Sequence, residues 1–393
     1  MLLLKNGKIF PMDGKKRQSF RGDILIENGK IKALGADLPS DGAEIVDVSG
    51  CTVIPGIIDA HCHIGMFEDS MGFEGDDGNE MCDPSTPEMR AIDAINPFDR
   101  CFEEALEGGV TTCVTGPGSA NVVGGTFVAI KTHGRDVEDM ILREPVAMKA
   151  AFGENPKRVY EHQKKIFTRM QVAAILRKTL VKAVNYDKKL KAAEADPDKS
   201  PERDLAMEAM LPVVRGELPL KIHAHRADDI LTALRIAKEF NLKITLDHCT
   251  DGWTIPELLK QGIADTGAGV IIGPLLTDRS KIELKNKSFE APRVLWENGI
   301  EFAMMTDHPV IPEQYLTVAA ALSVREGLPE YEALKSITIN PAKIVGVDDR
   351  VGSLEPGKDA DIAVFNGDPL DSRVRCVVTI VNGEICRNEL DNK

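Results

Sequence analysis

The sequence predicts an α/β fold in which a (β/α)₈ barrel carries a small β-domain assembled from both ends of the chain. Three observations support this prediction. Strand-like apolar runs alternate with helix-like stretches through the middle of the chain, both ends contain short strand patterns with Asn-Gly pairs, and polar residues recur where the middle strands end. The first two observations define the architecture, and the third indicates where its chemistry lies.

The two ends of the chain share one pattern. The N-terminal stretches read LLLKNGKIF, GDILIENGKIKALG and AEIVDVSG, and the C-terminal stretches read DADIAVFNGDP and CVVTIVNGEI. Alternating apolar residues with Asn-Gly pairs are typical of strands joined by tight turns. We therefore expect residues 1–54 and 351–393 to form one β-domain, and residues 55–350 to form the barrel.

The middle of the chain repeats a strand and then a helix. Runs such as VTTCVTGPG, LPLKIHAH and LKITLDHC have the apolar character of buried strands, and ADDILTALRIAKEF and IPELLKQG that of helices. About eight such units suit a barrel of parallel strands with helices outside. Active sites of such barrels lie at the C-terminal ends of the strands.

Composition excludes several classes of partner. The net charge of −14 argues against binding to nucleic acid or to an anionic membrane, and no apolar run approaches the length of a membrane span. The eight cysteines contain no CxxC pair, which predicts reduced thiols and a cytoplasmic protein. We expect a small-molecule substrate and a homo-oligomer.

The stretch VIPGIIDAHCHIG places two histidines one residue apart at the end of an apolar run. Because residues two apart on a strand point the same way, His61 and His63 can direct both imidazoles at one point. Buried polar groups need partners, and a metal ion would satisfy both rings. Two hydrogen-bonded core histidines are the alternative interpretation.

The same pattern recurs at the ends of further predicted strands, at Lys149, His223, His225, His248 and Asp307. Six of the eight histidines lie at such ends. Since the strand ends meet at one mouth of the barrel, imidazoles, a carboxylate and a lysine would gather there. This set predicts a metal site more strongly than any single motif does.

The residues alone leave two choices open. His223 and His225 lie on one face of the same strand, so either can be the ligand. Glu154 follows the strand that carries Lys149, so its carboxylate is a second candidate ligand at that strand end. An ordinary lysine and a charge at a helix N-terminus are the simpler alternatives for these two residues.

These motifs together resemble the amidohydrolase superfamily over nearly the whole chain. The matching segments, in order, include VIPGIIDAHCH, GVTT, KIHAH, LDH, TDHP and NPAKIVGVDDRVGSLEPGKDADIAVFNGDPLD. The resemblance is closest to the branch with imidazolonepropionase-like and dipeptidase-like members. It implies a distorted TIM barrel, a composite β-sandwich from both termini, and one or two divalent metal ions, with zinc expected.

The resemblance also implies the ligand set. His61 and His63 would bind the first metal, and His223 and His248 the second. Lys149, as a carbamate formed with CO₂, would bridge the two ions.

By the same resemblance Asp307 would contact the first metal and act as the catalytic proton shuttle. The family's use of the first histidine in an HAxx segment favours His223 over His225. The segment VAMKAAFGEN resembles the lysine segment of isoaspartyl dipeptidase-like members, which favours Lys149 over Glu154.

The function predicted is metal-dependent hydrolysis of the C–N bond of a cyclic or linear amide by a metal-bound hydroxide. Neutral imidazoles suit Zn²⁺, a metal-bound water ionises near neutral pH, and an adjacent carboxylate can carry the proton to the leaving nitrogen. A deaminase acting on a C=N bond is the enzymatic alternative. The non-enzymatic alternative is a scaffold protein that keeps the fold but binds no metal.

Overall fold

The computed structural model describes residues 1–15, 18–68 and 72–390. In chain order, the strands are β1 (Leu2–Ile9), β2 (Phe20–Glu27), β3 (Lys30–Gly35), β4 (Glu44–Asp47), β5 (Thr52–Pro55), β6 (Ile57–Cys62), β7 (Val110–Thr115), β8 (Val123–Lys131), β9 (Ile141–Ala151), β10 (Leu220–Ala224), β11 (Ile244–His248), β12 (Gly269–Ile272), β13 (Ala303–Met304), β14 (Ile362–Phe365), β15 (Cys376–Val381) and β16 (Glu384–Asn388).

The helices are α1 (Cys101–Glu107), α2 (Val137–Met140), α3 (Glu154–Glu161), α4 (Arg169–Ala195), α5 (Leu205–Val214), α6 (Ala227–Phe240), α7 (Pro256–Thr266), α8 (Ala291–Glu297), α9 (Leu316–Arg325), α10 (Glu330–Ser336) and α11 (Ile339–Val345). In the part of the chain that the structure describes, none of them combines the length and the apolar character needed to cross a membrane.

One sheet is built from both ends of the chain, as the sequence predicts. Its strands run in the order β16, β15, β14, β5, β1, β2, β3, and β4 pairs separately with β1. The antiparallel pairing of β14 with β5 joins the two ends. The domain limits at 54/55 and 350/351 stay a prediction, and residues 391–393 lie outside the described residues.

Two of the Asn-Gly pairs form the tight turns expected of them. Residues 28–29 connect β2 to β3 and residues 382–383 connect β15 to β16, with positive φ at all four positions. A two-residue turn of this type needs positive φ at both central residues, which Asn and Gly tolerate. The pair at residues 6–7 instead lies inside β1, where the pairing with β2 shifts register.

The second sheet is a distorted barrel, which confirms the predicted fold class. Its strands follow chain order from β6 to β13. The backbone N–H of Asp307 donates to His61 O (3.2 Å) and that of His63 to His308 O (2.8 Å), which joins the last barrel segment to the first strand. Strands β6, β7 and β9 to β13 therefore present their C-terminal ends at one mouth.

Strand β8 departs from the expected alternation of parallel strands and helices. It pairs antiparallel with both β7 and β9. Only the segment 116–122 separates β7 from β8, which is too short for the helical crossover that a parallel pair requires. The start of β8 therefore lies at the same mouth as the ends of its neighbours.

Candidate metal centre

The mouth of the barrel gathers the polar residues that the sequence singled out. They form two groups, within each of which the candidate ligand atoms lie within 4.8 Å of one another: His61, His63 and Asp307, and His223, His225 and His248. The rings of His61 and His248 are 5.5 Å apart between centroids, so the two groups are neighbours. The predicted convergence of these strand ends is confirmed.

In the first group, both histidines present the same nitrogen to Asp307. The Nδ1 atoms of His61 and His63 are engaged by Asp247 Oδ2 and by Gly116 O, each at 2.6 Å. Their Nε2 atoms lie 3.5 and 3.2 Å from Asp307 Oδ1. Because Nδ1 is fixed in each ring, Nε2 is the nitrogen available to a metal ion.

In the second group, three rings pack at centroid distances of 4.2 to 4.6 Å. The Nδ1 atoms of His223 and His225 contact hydroxyl groups at 2.8 Å, and that of His248 is 2.9 Å from Gly273 O. The buried Nε2 of His248 has no hydrogen-bond partner among the described residues. The structure places His223 and His225 equally close to His248, so both remain candidate ligands.

Lys149 lies near the end of β9, beside the first group. Its side chain is fully buried, and its Nζ is 3.5 Å from His61 Nε2. Burial lowers the pKa of Lys149 to about 8, against the raising effect of the Asp247 and Asp307 charges. A lysine with this pKa offers a neutral amine more readily than an exposed one does.

Glu154 begins helix α3, three residues after the end of β9. Its side chain is only half-buried, and its backbone N–H donates to Glu283 Oε2 at 3.0 Å. Among the described residues it belongs to neither group of candidate metal ligands. Of the two residues, Lys149 is thus the buried one that contacts a candidate ligand, His61.

The electrostatics of the mouth favour neutral histidines beside an ionised carboxylate. Burial lowers the pKa of His61 to about 4 and that of His248 to about 3. Burial raises the pKa of Asp307, but His248 and the hydrogen bonds to His61 and His63 outweigh this effect. The net pKa of Asp307 lies well below its usual range. Neutral imidazole and carboxylate are the forms that bind a metal ion.

Asp247 and Lys221 support the first group, and the sequence analysis did not identify them. Asp247 Oδ2 lies 2.6 Å from His61 Nδ1 and 3.2 Å from Lys221 Nζ, and Thr245 donates to its other oxygen at 2.8 Å. Burial raises the pKa of Asp247, but Lys221 and His61 lower it by more, so the net pKa lies far below its usual range. The sequence does contain a signal for Lys221. It is two residues before His223, so the two side chains lie on the same face of one strand.

The residues present fit a divalent metal ion. They offer neutral imidazole nitrogens, an ionised carboxylate and the unpartnered Nε2 of His248. These are ligands that borderline metals such as Zn²⁺ accept. In many metal sites a carboxylate outside the ligand set orients a ligating imidazole, and Asp247 contacts His61 in this way.

Comparisons with known proteins match this architecture. The sequence model of the amidohydrolase family matches residues 205–387. The amidohydrolase tasK of Hapsidospora irregularis is 30% identical over 378 residues, which cover 89% of this chain and 38% of tasK. This chain thus spans well under half the length of that relative. A dihydroorotase of Lactococcus lactis is 24% identical over 93% of this chain and 90% of its own length.

A solved structure extends the match to the whole chain. The crystal structure of an amidohydrolase from Thermotoga maritima MSB8 is 43% identical and superimposes with a TM-score of 0.94. The match covers 99% of this chain and 100% of that one. The resemblance predicted from the sequence motifs is confirmed, and the chain belongs to the amidohydrolase family of hydrolases that act on carbon–nitrogen bonds.

Proposed function

We propose that this chain hydrolyses the C–N bond of a cyclic or linear amide at a centre of two divalent metal ions, with zinc the expected metal. The observation that carries the proposal is the pair of histidine groups beside one buried lysine at the barrel mouth. The donor set is complete, which disfavours a scaffold protein that has lost its metals.

The ligands follow from the positions of the side chains. His61, His63 and Asp307 would hold the first ion, and His223 and His248 the second, with His225 as the alternative to His223. Lys149, converted to a carbamate by reaction of its amine with CO₂ and loss of a proton, would bridge the two ions. The half-buried Glu154 is the weaker candidate for that bridge.

When bound, the metal ions supply a water that ionises near neutral pH. Asp307, whose Oδ1 lies 3.5 and 3.2 Å from the Nε2 atoms of His61 and His63, would accept a proton at its carboxylate and return it to the leaving nitrogen. Asp247 and Lys221 hold the His61 ring in one tautomer and orientation.

The relative from Lactococcus lactis is named for dihydroorotate, a cyclic amide, which supports cyclic amides as one substrate class. Linear amides such as dipeptides stay in the proposal on equal terms. A cytoplasmic location is supported by the eight cysteines, which contain no CxxC pair and suit a reducing compartment. A homo-oligomer stays a prediction.

The proposal is tested with a panel of cyclic amides, acylated amino acids, dipeptides and C=N-containing heterocycles. We expect amide hydrolysis by the wild-type protein and loss of it in His248→Ala. The exposed His162 is the matched control, and His162→Ala should keep full turnover. Ammonia release from the C=N compounds without amide hydrolysis would support the deaminase instead, and undiminished turnover in His248→Ala would exclude the proposed site.

A further inference from the structure

A second cluster of possible metal ligands lies on the other side of strand β6. Cys62 is between His61 and His63, so its side chain points away from the barrel mouth. There it meets Cys113 of β7 and Glu313, which follows the last barrel strand. The two sulfurs and a carboxylate oxygen all lie within 4.8 Å of one another, and all three side chains are at most 1% exposed.

The Glu313 carboxyl has close neighbours but no well-formed hydrogen bond. Neither of its oxygens meets hydrogen-bond geometry with a partner among the described residues, while the Cys62 thiol and the Asp59 carboxyl lie against it. The Cys62 thiol donates to Val114 O at 3.7 Å and also lies beside the Cys113 thiol. Thiols and carboxyl groups buried together can ionise only at a high cost, which a bound divalent cation would offset.

We propose that Cys62, Cys113 and Glu313 form a structural site for a divalent metal ion of the Zn²⁺ class, separate from the histidine groups. Binding would replace the two thiol protons and any proton on Glu313, which leave to solvent as the metal–ligand bonds form. A tetrahedral zinc site with Zn–S bonds of about 2.3 Å places two sulfurs about 3.8 Å apart. Asp59 adjoins Glu313 and is the candidate for the fourth ligand. Its oxygens also accept hydrogen bonds from the N–H of His61 and from Thr306, which fix its position.

The location gives such an ion a definite role. Cys62 belongs to the strand that carries His61, Cys113 to its neighbour, and Glu313 to the segment six residues beyond Asp307. An ion held by all three would tie these segments together from outside the barrel wall. It would fix the backbone of the first histidine group without contacting substrate.

The site is tested by loading the purified protein with Cd²⁺ and recording thiolate-to-metal charge-transfer absorption in the ultraviolet. Imidazole, carboxylate and carbamate ligands give no thiolate band, so the histidine groups do not contribute. We expect the band in the wild-type protein, its loss in Cys62→Ser and in Cys113→Ser, and its weakening in Glu313→Gln. Cys82 is exposed, and Cys82→Ser is the control that should keep the band.

The absence of the band in wild-type protein overturns the proposal, whether or not the variants fold. So does a band that Cys82→Ser removes and Cys113→Ser keeps, because the ion is then adventitious. Titration of the unfolded wild-type protein should find all eight thiols. A count of six that rises to seven in Cys113→Ser would assign the pair to a disulfide and not to a metal site.

Discussion

Asp307 and His248 occupy unusual backbone conformations at the barrel mouth. Their φ angles are 57° and 70°, in the left-handed region that residues with a Cβ rarely adopt. Each such residue costs on the order of 1–3 kcal/mol, which the surrounding structure must offset. Both lie where a strand of the barrel ends, and the turn directs both side chains into the proposed centre.

Asp307→Asn tests the proton-transfer role of this carboxylate. The amide keeps the size of the side chain but cannot accept the proton, so turnover should fall by roughly 10²–10⁴-fold. Metal content is measured on the same preparation, because Asp307 would also hold the first ion and loss of that ion must be separated from loss of proton transfer. Near-normal turnover with the metal retained would show that another group carries the proton.

Lys149→Ala and Glu154→Gln separate the two candidate bridging residues. Lys149→Ala should abolish turnover and lower the metal content, because the proposed carbamate bridge between the two ions is then lost. Short carboxylic acids should restore part of the activity by occupying the space that the carbamate leaves. Glu154→Gln should keep its full metal content and lose little turnover.

The opposite pattern would reverse the assignment. If Lys149→Ala binds as much metal as the wild-type protein while Glu154→Gln loses an ion, the bridge belongs to Glu154. Elemental analysis and turnover, measured on the same samples, decide between the two outcomes.

The candidate ligands were easier to predict than the residues that hold their side chains in place. His61 and His63 stand out because histidines are rare and end an apolar run. Asp247 and Lys221 are common residue types, and their role depends on a contact between two neighbouring strands. Cys62 meets Glu313 only because the barrel closes, which no local pattern in the sequence expresses.

At the scale of elements, the start of β6 packs against β7 without room for a side chain. A Cβ atom on Gly56 would lie 2.0 Å from Thr111 Oγ1 and 2.5 Å from its Cγ2. Contacts this short force neighbouring backbone to move. The glycine in VIPGIIDAHCH thus serves the close approach of the first two barrel strands.

Gly56→Ala should lower the free energy of unfolding by about 1–3 kcal/mol, the usual cost of overpacking. Gly35→Ala is the control, because its added Cβ would meet Leu38 Cδ2 at an ordinary 3.5 Å. That variant should stay within about 0.5 kcal/mol of the wild-type value. Chemical denaturation measures both, and equal stability of the two variants would contradict the packing argument.

Strand β8 shows why the alternation of strands and helices did not predict every strand direction in the barrel. The segment TGPGSANVVGG, rich in Gly, has the composition of a loop, yet its last residues begin β8. What distinguishes β8 is its antiparallel pairing with β7 and β9, which depends on the short connection and not on propensity. Other barrel strands were predicted because each is a recognisable apolar run in the sequence.

At the scale of the whole molecule, a buried charge cluster joins the barrel to the terminal sheet. Lys131, the last residue of β8, pairs with Asp359 at 3.1 Å and also with Asp361, just before β14. Arg350 pairs with Asp359 at 2.8 Å. The aspartates lie in the DADIAV stretch, so the polar residues before this strand fasten it to the barrel.

This cluster predicts a loss of stability in acid. Burial raises the pKa of Asp359, but Lys131, Arg350 and Lys30 lower it by more, and the net pKa is about 2. Because the pKa is depressed in the folded state, the contribution is complete above the unfolded value of about 4 and is lost as the pH falls toward 2. The contribution is on the order of 2 kcal/mol.

Unfolding measured between pH 5 and pH 2 should therefore show a steeper loss of stability for the wild-type protein than for Asp359→Asn. The comparison removes effects that the two proteins share, including protonation of the histidines. Parallel pH profiles for the two proteins would contradict the role given to Asp359.

The metal dependence of turnover tests the central claim most directly. Elemental analysis of the purified protein should find divalent metal ions, and removing them with a chelator should abolish hydrolysis of the amides that the protein accepts. Adding back Zn²⁺ should restore turnover, and the metal-free protein should unfold at a lower temperature because bound ions stabilise the folded state. A protein freed of metal that keeps its full hydrolytic rate would contradict the account.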